Sequence, residues 1–241
     1  MSDLDSIAYD AALSDYCSDI AAEKTWEAFT LQQCIYLFVE GETEENAIPK
    51  LLARCDLDTD KLGVLVASYN GIGNLPHALR LLCKTLSNDR PVIVTFDNDE
   101  KGKEFQDKLP AIPHRKELLT IIPLPSERTP IIYPSGHRGG SFEELFSSEN
   151  FLNQVFSPDF MPEQLVVSKT KFLKEFKENS PWLEQVQKFY AENSYFDLKD
   201  YKVKLGMRLA VNCIEIPPDI NHLVSIVKEV REKFPVRHPA S

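Results

Sequence analysis

The stretch Cys34-Ile35-Tyr36-Leu37-Phe38-Val39-Glu40-Gly41-Glu42-Thr43-Glu44-Glu45 decides the fold. Cys34 to Val39 form an unbroken apolar run rich in β-branched and aromatic side chains. Such a run reads as a strand buried on both faces, the form that strands take in parallel sheets. Glu40 follows directly. A carboxylate at the end of a buried strand is costly unless it is solvated, paired or bound to a cation. Gly41 allows a sharp turn and a close approach of backbone to ligand. Asn46 to Arg54 read as a helix. Glu44 sits one helical turn beyond Glu40, so its side chain returns to the same end of the sheet. Glu42 and Glu45 read as solvated charges that favour a helix N-terminus.

Working outward, strands and helices alternate. A second buried strand spans Gly63 to Ala67 and leads into the loop Ser68-Tyr69-Asn70-Gly71-Ile72-Gly73-Asn74 and a helix from Leu75 to Leu86. A third strand, Pro91 to Phe96, ends in Asp97-Asn98-Asp99-Glu100-Lys101-Gly102-Lys103, with a helix after it. A fourth covers Leu118 to Leu124. This order predicts an α/β fold, a Rossmann-like, mostly parallel sheet flanked by helices. In such sheets functional groups sit at the carboxyl ends of the strands, and both acidic clusters, Glu40/Glu44 and Asp97/Asp99, fall there. In extended chain, positions i and i+2 share a side, so Asp97 and Asp99 suggest a site for a hard divalent cation such as Mg²⁺. Taken singly, an Asp-x-Asp at a strand end serves equally as a helix cap. The joint pattern argues for a metal site.

Residues 125–140, rich in Pro, Gly, Arg and Ser, read as a loop. From Ser141 the pattern turns helical, with Phe142, Leu145 and Phe146, then Phe172, Phe176, Trp182, Val186 and Phe189. The last helices run near Val203–Val211 and Ile220–Phe234, and Pro235 to Ser241 read as a tail. Residues 4–29 carry Ile7, Ala8, Ala11, Ala12, Tyr16 and Ile20 at helical spacing, a packing helix or a partner-docking arm. At 241 residues and 43% apolar content a sizeable core is expected. No apolar run is long enough to span a membrane and no secretory leader is visible, so a cytoplasmic protein without a membrane partner is expected. The cysteines (Cys17, Cys34, Cys55, Cys83, Cys213) form no CxxC pair, and the histidines (His77, His114, His137, His222, His238) show no metal spacing. A net charge of −10 opposes unaided nucleic-acid binding, unless the carboxylates surround cations or a basic partner supplies phosphate contacts.

The combination strand–Glu–Gly–x–x–Glu, Gly/Asn loop, strand–Asp–x–Asp resembles the Toprim domain. The wording Val39 to Glu45, with Asn70-Gly71-Ile72-Gly73-Asn74-Leu75, is most similar to the OLD (overcoming lysogenization defect) family of nucleases. The resemblance covers residues 33–146, and more weakly extends toward residue 210. It implies a helical segment over 1–32, a Toprim catalytic domain over 33–150 and a helical C-terminal region over 151–241 that completes the site. It implies two Mg²⁺ or Mn²⁺ ions, one held by Glu40, Asp97 and Asp99 and the other by Glu44 and Glu143, clamping a scissile phosphate. Gly41, Asn70, Gly71, Gly73 and Ser141 would lie near the substrate. Ser141 is also an N-cap with Glu144 three residues on, a capping box, and the resemblance puts Glu143 forward as a ligand of the second ion. A lysine on a late helix, Lys202 or Lys204, would stabilise charge on the phosphate, and the register between them stays open; a solvated helix face is an equal alternative. Lys169, Lys171, Lys174 and Lys177 read as a solvated face or a contact to a nucleic-acid backbone. Such families carry an ATPase domain, and no GxxxxGK[ST] occurs here.

The expectation is a metal-dependent endonuclease acting on DNA, working with a separate ATPase in bacterial anti-phage defence, as a homodimer or higher assembly. The alternatives are a non-cleaving Toprim scaffold binding an ATPase or nucleic acid, and a haloacid-dehalogenase-type phosphatase with Asp97 as nucleophile. The last leaves Glu40 and Glu44 without a role.

Overall fold

The computed structural model describes residues 32–78, 90–106, 118–126, 131–134, 136, 139–160, 169–193 and 201–237. The amphipathic segment expected over 4–29, and the expected helix beyond residue 78, lie outside these.

Four strands, β1 (Ile35–Val39), β2 (Val64–Ser68), β3 (Val92–Phe96) and β4 (Leu119–Pro123), form one sheet in the order β2-β1-β3-β4. All neighbours are parallel, with Leu37 opposite Val66 on one side and Ile93 on the other. Every residue of the inner strands β1 and β3 is buried, whereas the edge strands β2 and β4 are partly exposed. That is why the inner strands are apolar throughout except for Thr95. Alternate residues serve opposite faces: Ile35, Leu37 and Val39 join one core with Ile93, while Tyr36, Phe38, Val94 and Phe96 join the other.

The strand order places the functional edge. The chain leaves β1 for β2 on one side, then crosses to β3 on the other. The boundary between β1 and β3 is the point where the connections diverge and open a crevice beyond the strand ends. Glu40 and Asp97 are the first residues past those two strands.

Helix α1 (Glu42–Arg54) starts earlier than the apolar spacing predicts, at Glu42 rather than Asn46. Glu42, Glu44 and Glu45 all lie in its first turn, where they complement the positive end of the helix dipole. The Glu44 carboxylate reaches back to accept from the Gly41 amide at 3.1 Å. Helix α2 (Glu100–Gln106) follows β3. After a 3₁₀ turn (Phe142–Leu145) come α3 (Ser148–Val155), α4 (Lys169–Glu175), α5 (Trp182–Asn193), α6 (Lys202–Asn212) and α7 (Pro218–Lys233). Their inner faces share one buried cluster with the sheet, reaching from Ile35 to Val230.

Helix α6 lies along α1 in the most extensive helix pairing described, fixed at two points. Near its start, a Cβ at Gly206 would lie 2.3 Å from Thr43 Cγ2, so glycine is what permits the close approach. At its end, Arg54 donates to the Ala210 carbonyl at 2.8 Å and the Cys213 carbonyl at 2.6 Å, capping the helix. Within the stretch from Pro235 expected as a tail, Arg237, the last described residue, is tied back. The backbone of Arg237 donates to Gln33 Oε1 at 2.8 Å and accepts from Gln33 Nε2 at 2.9 Å.

Gly206→Val should force α6 away from the buried Thr43 and lower the unfolding free energy by about 1–3 kcal/mol. Chemical denaturation measures this, and an unchanged midpoint would show that the α1–α6 approach does not depend on the glycine.

Candidate functional site

The loops after β1, β2 and β3 converge on Glu40. Its carboxylate Oε2 accepts from the Asp97 amide at 3.0 Å, across the boundary between the two inner strands. Its carbonyl accepts from the Gly71 amide at 2.8 Å. Asn70 and Gly71 hold left-handed backbone, at φ 55° and 99°, which glycine adopts freely and asparagine better than most residues. The Tyr69 hydroxyl donates to the Thr95 carbonyl at 2.8 Å and pins this loop to β3. Gly73 is exposed with open space where a Cβ would stand, so no close approach explains it.

The carboxylates repel one another in a poorly hydrated setting. Burial pushes Glu44 up to about 7; Lys202 opposes this, and Glu143 and Glu40 add to it. Asp97 rises well above the ordinary carboxylate range, through desolvation first and then the charges of Glu44, Glu40 and Glu143. As a residue Asp97 is only half-buried, yet the neighbouring carboxylates act on it wherever water reaches it. Glu40 is raised by burial, against the lowering effect of its bond from the Asp97 amide.

The turn Phe142–Leu145 brings two adjacent, fully buried glutamates, and they divide the work. Glu144 accepts from the amides of Ser141 and Trp182, each at 3.0 Å, and from the Tyr133 hydroxyl. It is the capping-box residue and ties three segments together. Neither oxygen of Glu143 has a hydrogen-bond partner. Its nearest cation is Lys202, with Nζ 3.9 Å from Oε1, an ion pair beyond hydrogen-bond reach. Lys202 is held protonated above its usual range, foremost by Glu143 and then by Asp97, Glu44 and Glu40. The structure therefore brings Lys202 to the carboxylates. Lys204 stands exposed, its Nζ 5.9 Å above the Phe160 ring, outside the group.

Asp99 does not obey the strand alternation that would pair it with Asp97, because β3 ends at Phe96. Its Oδ1 accepts from the Gly102 amide at 2.7 Å, the geometry of a cap on α2. It still adds to the raising of Glu40. Sequence reasoning missed Asn98. This buried residue donates its amide to the Gly140 carbonyl at 3.1 Å. A Cβ at Gly139 (φ 111°) would stand 2.6 Å from its Nδ2. Asn98 thus locks the Gly139-Gly140 pair, which delivers Ser141 to Glu144. The signal was there in a short amide between two aspartates and a Gly-Gly pair without an assigned task.

Glu40, Glu44, Thr95, Asp97 and Phe142 line a cleft of about 10 Å³, enough for a particle the size of water. A far roomier cavity, about 930 Å³, lies elsewhere, beside Asn150, Trp182, Ile214 and Pro218. Glu144 borders it, but none of Glu40, Glu44, Asp97, Glu143 or Lys202 does. The raised carboxylates of Glu40, Glu44 and Asp97 gather at the small cleft. Among the described residues no three Asp, Glu, His or Cys side chains stand as a ready-made metal cage. The donors nevertheless fit a hard divalent cation: they are carboxylate oxygens, they are crowded, and Glu143 is buried without a donor, which is costly unless a cation joins it. Side-chain rotation would have to close the cage.

Residues 35–99 match the family described as "Overcoming lysogenization defect protein-like, TOPRIM domain". The fold resembles the C-terminal region of the Burkholderia pseudomallei OLD protein, at 16% identity and a TM-score of 0.52, over 81% of this chain and 96% of that one. It also resembles the C-terminal region of the Xanthomonas campestris pv. campestris OLD protein, at 14% identity and a TM-score of 0.51, over 83% and 94%. At these identities the likeness is one of fold. No curated protein matches the chain in sequence. No described helix is long and apolar enough to cross a membrane.

The folded state holds the Glu44 proton to about pH 7 against an ordinary value of 4.5. Metal-free stability should therefore fall as pH rises through that window and level off above it, because the folded chain binds the proton more tightly. Glu44→Gln keeps an acceptor for the Gly41 amide and removes the titration. At pH well above the window the metal-free variant should be more stable than wild type by about 1–3 kcal/mol. Parallel denaturation curves for the two proteins at every pH would overturn this.

Proposed function

We propose that this chain, which carries an OLD-like Toprim domain over residues 35–99, is a metal-dependent nuclease that hydrolyses phosphodiester bonds, with DNA as its substrate. One observation carries the reading. Glu143 is wholly buried, its oxygens lack donors, and it lies 3.9 Å from Lys202 beside the raised carboxylates of Glu40, Glu44 and Asp97. A fold that needed only stability would not gather these groups, because each unpaired buried charge costs several kcal/mol, roughly. The fold likeness to the C-terminal regions of two OLD proteins supports the same reading.

Bound Mg²⁺ or Mn²⁺ would supply charge neutralisation at the scissile phosphate and an acidified water. Glu40 and Asp97, with Asp99, would hold one ion, and Glu44 with Glu143 a second. Asp99 would keep one oxygen on the Gly102 amide. Glu44 and Asp97 must release protons before they coordinate, so cation affinity rises with pH. Lys202, kept protonated by its neighbours, directs a positive charge at the place where charge develops on the phosphate. Gly41 and the Asn70-Gly71 turn leave backbone close to the crevice, and Ser141 opens the turn that presents Glu143.

The biological setting we propose is anti-phage defence in the bacterial cytoplasm, as the nuclease partner of a separate ATPase and in a dimer or higher assembly. A second reading is a non-cleaving scaffold that binds an ATPase or nucleic acid. It is favoured by the lack, among the described residues, of a ready-made metal cage.

Supercoiled plasmid incubated with the protein and Mg²⁺ or Mn²⁺ should be nicked or linearised. Glu40→Ala, Asp97→Ala and Glu143→Ala should each lose activity, and Lys202→Met should slow cleavage at least about a hundredfold. Mg²⁺ should also raise the unfolding free energy, by about 2.7 kcal/mol at a concentration a hundred times its Kd. If neither cleavage nor metal-induced stabilisation occurs, the scaffold reading takes its place. Stabilisation without cleavage would direct the search to a co-purifying ATPase.

A further inference from the structure

The acidic cleft poses a problem for any polyanionic substrate, since the chain carries a net charge of −10. The charge is unevenly spread. Helix α6 holds Lys202, Lys204 and Arg208 and no acidic residue. Helix α4 holds Lys169, Lys171 and Lys174 against Glu175. Every other described helix is neutral or net negative.

The two basic helices flank one short segment. Phe156, at the end of α3, lies 5.3 Å from Phe172 of α4, ring to ring. Phe160 lies 6.1 Å from Tyr201 at the start of α6. Lys204 and Arg208 sit over the same Phe160 ring at 5.9 and 6.0 Å. Tyr201, Lys204 and Arg208 follow the spacing that puts side chains on one helix face. Arg208 is held further by its Nη2 donating to Ser157 Oγ at 2.9 Å, and its buried Nε has no partner. A guanidinium fixed in this way loses little freedom on meeting an anion. Lys171, Lys174 and Lys177 are exposed, and Lys169 reaches Asn153 on α3 at 3.2 Å. The acidic residues on this stretch are Asp159, Glu175 and Glu178, and Glu178 accepts from Ser148.

We propose that α6 and α4 form a track for a nucleic-acid phosphate backbone, leading from Lys202 at the carboxylates through Lys204 and Arg208 to Lys171 and Lys174. Its direction rests on the reading of the carboxylates as a phosphodiester site; the binding itself does not. An acidic protein partner suits the face less well. Leu173 is the large apolar side chain exposed on α4, and lysines are depleted from the cores of protein interfaces. Backbone phosphates need cations spaced along a surface, and each one neutralised makes binding more salt-dependent.

The test uses the full chain in the uncut background Asp97→Ala, with EDTA, and a fluorescent DNA oligonucleotide about 20 nucleotides long, followed by anisotropy across a salt series. The combined variant Lys171→Gln/Lys174→Gln/Lys204→Gln changes exposed positions only. It should bind about tenfold or more weakly and lose about two to three units of salt slope, close to one per contact. The combined control Lys50→Gln/Lys228→Gln/Lys233→Gln, on α1 and α7, removes equal charge and should stay within about twofold. Equal loss in both, loss in neither, or no binding by the parent would overturn the track. Binding by Asp97→Ala with neither cleavage nor metal-induced stabilisation of the wild type would instead sink the nuclease reading and leave the track standing.

Discussion

The bond from the Asp97 amide to the Glu40 carboxylate, 3.0 Å long, is the constraint on which the rest of the site depends. It joins the ends of the two inner strands at the point where the sheet changes direction. With that bond in place, the backbone of Glu40 receives the Gly71 amide, and the loop after β2 closes on the same corner. Asn98, next along the chain, receives the Gly139-Gly140 pair, and with it the turn that carries Glu143. Four loops far apart in sequence are thereby fixed relative to a single carboxylate.

This arrangement concentrates negative charge where water is scarce. Burial and mutual repulsion raise Glu40, Glu44 and Asp97 together. Among the described groups Lys202 is the cation that opposes all three. It arrives only because α6 can lie close against α1 at Gly206 and because Arg54 caps the far end of that helix. Packing in the helical layer thus sets the electrostatics of the sheet edge. Removing a hydrogen at Gly206 to make room for a side chain would move a charge that sits a full turn away.

Much of this was legible in the sequence, for physical reasons that can be named. The apolar run Ile35–Val39 and the run Val92–Phe96, broken only by Thr95, read as strands buried on both faces, and a carboxylate after each had to be solvated or used. The register between Lys202 and Lys204 was not legible, because two residues apart on a helix is a change of face, and only the packing of α6 decides which face meets the acids. The bond from the Gly102 amide to Asp99 was not legible, because β3 ends at Phe96 and strand alternation no longer governs the residues beyond it. The start of α1 was placed too late because its first turn is polar, held by charge and by the Glu44–Gly41 bond rather than by apolar spacing. Asn98 left no periodic trace, since its contacts lie some forty residues along the chain, roughly a loop's closure away in entropy.

Glu143 and Glu144 show most clearly how one fold separates stability from chemistry. They are adjacent and equally buried, yet Glu144 is saturated with donors and Glu143 has none. Burial alone therefore does not mark a functional carboxylate. What sets Glu143 apart is burial without a hydrogen-bond donor in a structure that satisfies the identical group one residue away. The same contrast holds on a larger scale between the two cavities. The roomy one is bordered by the satisfied glutamate, and the narrow one by the crowded carboxylates. Lys202 pairs with Glu143 at 3.9 Å without donating a hydrogen bond to it. An oxygen-rich, water-poor cleft suits a hard cation as a further counter-charge.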